Sequence, residues 1–145
     1  MESGIGPDDG DYQNLKKYII KLGLANNIKI YEGMSFDEIK GYARNSSFFI
    51  QSSLSEGMAM SVLESMQLGL VPVVTNVGNI KNYCKDDFNS ILIDKLTTRK
   101  ILEISNNQKK FLDLRKNAIE TWQSKNSYKQ DVYENCFRLA RKMKK

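Results

Sequence analysis

The stretch Phe48-Phe49-Ile50-Gln51-Ser52-Ser53-Leu54-Ser55-Glu56-Gly57-Met58-Ala59-Met60-Ser61-Val62-Leu63-Glu64-Ser65-Met66-Gln67-Leu68-Gly69-Leu70-Val71-Pro72-Val73-Val74 decides the fold. It reads as a short apolar strand at 48–50, then a serine- and glycine-rich loop. A helix follows, beginning near Met58, burying Val62, Leu63 and Met66 and stopping at Gly69. A second buried strand starts at Val71, and proline at its second position fits a strand start. A strand, a helix and a strand in this order imply a crossover between parallel strands.

The same alternation extends in both directions. Residues 4–11 read as a loop by composition. Leu15, Tyr18, Ile19 and Leu22 then follow the i, i+3, i+4, i+7 spacing of a helix, with Gly23 as its C-cap. Ile28-Lys29-Ile30-Tyr31 reads as a strand ending at Gly33. Ser35 and Glu38 form a capping box for a helix with Ile39, Tyr42 and Ala43 inward. Downstream come a turn or short helix from Asn79 to Cys84, a turn at 86–89 and a strand at Ser90–Ile93. From Thr98 the pattern is helical, with Ala118 and Trp122 on one face and Val132, Cys136, Leu139 and Ala140 on the buried side of a last helix. The predicted class is α/β: a Rossmann-like parallel sheet with helices on both faces. Residues 1–95 form the binding domain and 96–145 are basic helices packed on it. Ligands in such sheets sit beyond the carboxyl ends of the strands. The turns at 33–35, 53–57 and 76–79 gather there.

Composition narrows the chemistry. The 145 residues suit one domain, and 41% hydrophobic with 27% charged residues describes an ordinary globular chain. No apolar run approaches the roughly 20 residues of a membrane span, and no secretory signal is visible. A cytoplasmic location follows as the default. There is no histidine, which removes His-based triads and imidazole bases from this chain's own chemistry. Cys84 and Cys136 have no metal-ligand spacing and read as buried thiols. Residues 1–94 carry 8 basic and 12 acidic side chains, whereas 95–145 carry 14 and 5. The basic end reads as a solvated helix face, with an anionic surface as the alternative partner.

Glu56 and Glu64 stand on either side of the point where loop becomes helix. A helix N-terminus binds anions through unpaired amides. Carboxylates accept hydrogen bonds from hydroxyls and repel phosphate. Eight helical residues rise about 12 Å, the scale of a sugar, a diphosphate and a ribose in line. The pattern therefore points to a nucleoside diphosphate sugar.

At these residues the chain resembles the carboxyl-terminal, donor-binding domain of retaining GT-B glycosyltransferases of family 4. That family carries Pro-Ser-x-x-Glu-Gly, then Glu-Ala-Met-Ala-x-Gly-x-Pro-Val-Val. This chain reads Gln51-Ser52-Ser53-Leu54-Ser55-Glu56-Gly57, then Glu64-Ser65-Met66-Gln67-Leu68-Gly69-Leu70-Val71-Pro72-Val73-Val74, with the Glu-x7-Glu spacing kept. The Gly4-x-Gly6-Pro7 loop and Asp86-Asp87-Phe88-Asn89-Ser90-Ile91-Leu92-Ile93 extend the likeness over roughly residues 4–125. The resemblance implies that Glu56 is the catalytic-site acid contacting the transferred sugar. It implies that the amides of Gly57, Met58, Ala59 and Met60 hold the distal phosphate and that Glu64 holds the ribose. Met34, Ser35 and Lys40 would meet the nucleobase, with Gly4 and Gly6 in a loop beside the site. No metal and no other cofactor is expected.

The departures are equally specific. Ala59 stands where the family has a second glycine, Gln51 where it has proline, and Gly78-Asn79-Ile80-Lys81-Asn82 where it has Gly-Gly-x-x-Glu. Only three residues precede the Gly-x-Gly-Pro loop. The expectation is a fragment, or a subunit, lacking the first strands with their Arg and Lys and the amino-terminal acceptor-binding domain. The alternative function is a non-catalytic nucleotide-sugar-binding module that needs a separate acceptor-domain chain. The basic helices are expected to pack on the absent domain or to touch anionic membrane at its inner face. Asp9-Gly10-Asp11 reads as a turn rather than a metal motif, and Gly4-x-Gly6 lacks the dinucleotide spacing. Trp122, Tyr128 and Tyr133 read as packing residues rather than base-stacking ones, so no nucleic acid partner is expected.

Overall fold

The computed structural model describes residues 9–124, with side chains from Tyr12. These residues fall into two compact units, one ending at Ser35 and the other starting at Phe36. The first unit holds α1 (Asp9–Lys21) and the turns that follow it. Gly23 takes φ +69°, as a helix-ending glycine does.

Three sequence expectations change here. Asp9–Asp11 belong to α1 instead of a loop. Of the four residues expected inward on α1, Ile19 is buried, while Leu15, Tyr18 and Leu22 are about half exposed or more. Ile28–Tyr31 is not a strand. Its apolar residues carry the right propensity, but the segment opens out of a turn in which the Ile28 N–H donates to the Leu24 carbonyl at 3.0 Å, so its first peptide group is spent locally instead of in a ladder.

The second unit is the α/β body. Its elements are α2 (Phe36–Ala43), β1 (Phe48–Gln51), α3 (Met60–Gln67), β2 (Val71–Val74), a 3-10 turn at Ile80–Asn82, β3 (Ile91–Leu92), α4 (Thr97–Ser105) and α5 (Gln108–Ser124). The sheet is parallel with order β1-β2-β3, and Phe48 lies opposite Val71 and Val73 opposite Ile91. On α2 only Ala43 is buried; Ile39 and Tyr42, expected inward, stay substantially exposed. β3 is shorter than the expected Ser90–Ile93. Proline has no N–H to donate. Val71 already donates to Ser47 at 3.0 Å on the β1 side, so by alternation the missing donor of Pro72 lies on the β3 side. The ladder there starts only at the next residue pair.

Side-chain alternation along β2 builds two cores. Val71 and Val73 face Ile91, Ile104 and Leu114. Val74 faces Val62, Met66, Ile80, Tyr83 and Ala118. α5 serves both: Phe111 and Leu114 pack on the first cluster, Ala118 and Trp122 on the second. Helices therefore cover both faces of the sheet. On the described sheet β1 has a strand neighbour on one side, and Ile50 is 64% exposed. α3 ends as expected: Gly69 takes φ +75° and Leu70 N–H bonds back to Ser65 at 2.9 Å. The expected buried face of a last helix (Val132, Cys136, Leu139, Ala140) lies outside the described residues.

Candidate functional site

The loop from Ser52 to Ala59 leaves the carboxyl end of β1 and enters α3. The helix starts at Met60, two residues later than its sequence suggests, because Ala59 takes φ 48° and ψ 57°. A left-handed residue breaks the helical run, and no side chain caps the helix. Glu56 is thus a loop residue. Only residues 60–64 of the expected eight-residue rise are helical, which accounts for about 6 Å.

The loop is held from behind by the segment after β2. Gly78 takes φ +53°, and a Cβ placed on it would lie 1.8 Å from the Glu56 carbonyl oxygen. Asn79 N–H donates to the Gly57 carbonyl at 3.2 Å. The Tyr83 hydroxyl donates to the carbonyls of Met58 at 3.1 Å and Ala59 at 3.2 Å. Burial first, then the negative charges of Cys84 and Glu56, raise the Tyr83 phenol well above its ordinary range, so it remains a protonated donor. Tyr83 is fixed in turn by Asn89. This residue is 1% exposed, donates to the Tyr83 carbonyl and to Thr121 Oγ1 (both 2.8 Å), and accepts from Lys85 N–H at 2.7 Å.

This bracing orients the amides. In a trans peptide the N–H points opposite to the preceding C=O. The carbonyls of Gly57, Met58 and Ala59 are turned toward Asn79 and Tyr83, so the N–H groups of Met58, Ala59 and Met60 point the other way. The Glu56 carbonyl lies against Gly78, which turns the Gly57 amide likewise. None of these four amides donates a hydrogen bond among the described residues. Successive amides of this kind at a helix N-terminus form an anion-binding concavity.

The two acids flank it in sequence. Glu56 is half-buried and accepts a hydrogen bond from Gln51 Nε2. Glu64 is exposed on α3, one turn from Ser61, and both line a largely apolar cavity of about 140 Å³ with Phe36, Ile39 and Phe49. Lys40 sits on α2 beside that cavity, paired with Asp37 at 2.5 Å and placed over the Phe36 ring at 5.2 Å. That pairing holds the Asp37 carboxyl below its usual range. Met34 and Ser35 lie at the end of the first unit, Met34 half-buried and Ser35 exposed. Gly4 and Gly6 lie outside the described residues. Among the described residues no three His, Cys, Asp or Glu side chains cluster for a metal.

Sequence reasoning did not find the supports of the loop. Gly78 and Asn79 were visible as a departure from the family pattern, and a glycine after a strand was the available signal. Asn89 showed only as part of the family-like run at 86–93, and Tyr83 gave no signal, because the carbonyls it holds lie 24 and 25 residues earlier.

The sequence signature of the glycosyl transferases group 1 matches residues 4–121. The chain belongs to this family. An uncharacterised glycosyltransferase of Methanocaldococcus jannaschii is 30% identical over 136 residues, which is 91% of this chain and 37% of that protein. The chain thus spans little more than a third of that glycosyltransferase. A GDP-mannose:cellobiosyl-diphosphopolyprenol alpha-mannosyltransferase of Komagataeibacter xylinus is 34% identical over 53% of this chain and 18% of its own length. A UDP-Gal:alpha-D-GlcNAc-diphosphoundecaprenol alpha-1,3-galactosyltransferase of Escherichia coli is 31% identical over 56% and 18%. Among solved structures, the carboxyl-terminal domain of a glycosyl transferase group 1 protein of Francisella tularensis superposes with a TM-score of 0.70 at 22% identity, covering 83% of this chain and 65% of that one. Sucrose-phosphate synthase of Thermosynechococcus elongatus gives 0.76 at 14% identity, covering 92% and 34%. The fold is that of the carboxyl-terminal half of GT-B glycosyltransferases.

Proposed function

We propose that this chain is the donor-binding domain of a glycosyltransferase that moves a sugar from a nucleoside diphosphate sugar to an acceptor hydroxyl, with retention at the anomeric carbon. The observation that carries the reading is the set of amides at 57–60, turned away from Gly78, Asn79 and Tyr83 and flanked by Glu56 and Glu64. In the proposed complex the diphosphate meets those amides. Glu56 accepts from hydroxyls of the transferred sugar and is the catalytic-site acid; Glu64 accepts from the ribose. The apolar cavity beside Glu64 fits the nucleoside end, with Lys40 next to its lining residues Phe36 and Ile39. As the bond to the sugar breaks, the leaving diphosphate gains charge. Preorganised amides and the helix dipole stabilise that charge without a metal.

The acceptor side belongs to an amino-terminal domain that closes over the donor and aligns the two reactants. The mannosyl- and galactosyltransferase relatives act on diphospho-lipid acceptors by name. An acceptor of that class would place the enzyme at the inner face of a membrane, touched by its basic carboxyl-terminal segment. No helix among the described residues is long and apolar enough to cross a membrane.

A second reading is a binding module without turnover of its own. One feature favours it: residues 51–80 contain no Lys or Arg, so this stretch meets the diphosphate with dipoles alone. Calorimetric titration with UDP, GDP, UDP-galactose and GDP-mannose, each with EDTA present, tests the donor site. Binding of at least one pair is expected, and binding of none refutes the site. Glycosyl transfer by the chain together with an amino-terminal domain, but not by the domain-deficient control, separates enzyme from module.

A further inference from the structure

Gln51 occupies the last position of β1, where its side chain stands at the carboxyl edge of the sheet. Its amide makes three hydrogen bonds. Nε2 donates to Glu56 Oε1 and to Ser53 Oγ at 3.2 Å, and Oε1 accepts from Ser61 Oγ at 2.7 Å. The side chain is half-buried, and Ser61 is in the first turn of α3. The amide can take only one orientation here. A carboxylate accepts and cannot donate, so the nitrogen must face Glu56. The oxygen then faces the hydroxyl of Ser61. Gln51 thereby ties the Glu56 carboxylate to the strand end on one side and to the α3 N-terminus on the other. One carboxylate oxygen is held, while Oε2 has no hydrogen-bond partner among the described residues.

From this geometry we infer that Gln51, supported by Ser61, is a positioning residue that aims Glu56 at the hydroxyls of the donor's sugar. The inference rests on the donor-binding reading above and deepens it: Gln51 governs recognition of the sugar, not of the nucleotide. Glu64 lies further along α3, and Gln51 is not among the residues lining the cavity, which it meets only through Ser61. A residue that merely held the loop would weaken every ligand alike. A residue that aims Glu56 changes the ratio of sugar-nucleotide to nucleotide dissociation constants.

The test is calorimetry on the full chain with the probe pair that binds, UDP-galactose against UDP or GDP-mannose against GDP. Gln51→Leu, close in volume and unable to donate, is expected to raise that ratio about ten-fold, the scale of one charged hydrogen bond. Nucleotide affinity is expected to stay within about two-fold. Gln51→Glu, which sets a second carboxylate against Glu56, should raise the ratio further at neutral pH. A ratio unchanged in both variants overturns the assignment, as does an equal loss for nucleotide and sugar nucleotide. If Gln51→Leu fails to fold, Gln51→Met, an unbranched side chain of similar reach that cannot donate, decides. The same shift in the ratio supports the role, and no shift overturns it. If the unaltered chain binds none of the four probes, the donor site itself falls and this inference falls with it. A folded, nucleotide-binding Gln51→Leu protein with an unmoved ratio removes Gln51 alone.

Discussion

Replacing Gly78 with alanine puts the bracing of the 52–59 loop to a quantitative test. Two costs arise at this one position. The residue sits at φ +53°, where a Cβ costs about 1–2 kcal/mol. The added carbon would also lie 1.8 Å from the Glu56 carbonyl oxygen, 2.7 Å from its carbon and 3.3 Å from the Gly57 oxygen. These are backbone atoms, so no rotamer change relieves the overlap, and the loop must withdraw by more than an ångström. Overpacking of this kind costs about 1–3 kcal/mol, giving about 2–5 kcal/mol together. Urea denaturation followed by the fluorescence of Trp122, the single tryptophan, which packs on the α3 core, measures the loss. Gly69→Ala is the internal control. Its φ is +75°, but its Cβ would meet only the movable Arg115 guanidinium at 3.1 Å, so about 1–2 kcal/mol is expected. Gly57→Ala, with open space and no positive φ, should be close to neutral in stability. Nucleotide affinity should fall most in Gly78→Ala, because the displaced peptides carry the outward amides. Equal destabilisation of Gly78→Ala and Gly69→Ala would refute the contact between Gly78 and the loop, and with it the account of why those amides face outward.

Other outcomes follow from the same geometry. Glu64→Ala should weaken nucleoside diphosphate binding by about 1–3 kcal/mol, the range for charged hydrogen bonds; an unchanged calorimetric affinity removes Glu64 from the ribose role. Asn89→Ala leaves the Lys85 amide and the Tyr83 carbonyl without their partner, and a loss of about 2–4 kcal/mol in denaturation is expected. Burial pushes the Cys84 thiol up to about 11, partly offset by Ser90. A thiol in the unfolded chain ionises from about pH 8.5, so the unfolded state sheds its proton first and stability falls as pH rises from there toward 11. The alkaline drop in urea midpoint should be smaller in Cys84→Ala. For the same reason Cys84 should react with a thiol-alkylating reagent far more slowly in the folded protein than after denaturation.

The strands at 48–51 and 71–74 were legible because their apolar runs are bounded by polar and glycine turns and because a helix of the right length separates them. Glu56 and Glu64 were visible as a spaced pair, and the roles given to them are what the binding experiments test. Ile28–Tyr31 shows where that reading stops: an apolar run encodes willingness to be a strand, whereas pairing is decided by what lies alongside. The start of α3 was misplaced because nothing in Met58-Ala59 announces a left-handed backbone; alanine there is a residue glycine would replace at lower conformational cost. The scaffold of the site was illegible for a related reason. Tyr83 reaches back 25 residues to Met58, and Asn89 reaches forward 32 to Thr121. Such contacts have no local periodicity to betray them.

Within the second unit, the flank of β1 away from β2 has no strand partner among the described residues, and this has a practical corollary. Ser47 and Gln51 spend their carbonyls on β2, at 3.0 and 3.2 Å, so the peptide groups of Phe48 and Ile50 between them point away from the sheet, next to an uncovered isoleucine. A row of this kind is a template for another extended chain. Concentrated stocks of the domain should therefore favour lateral growth between copies, and dilution or a strand-blocking peptide should reverse it.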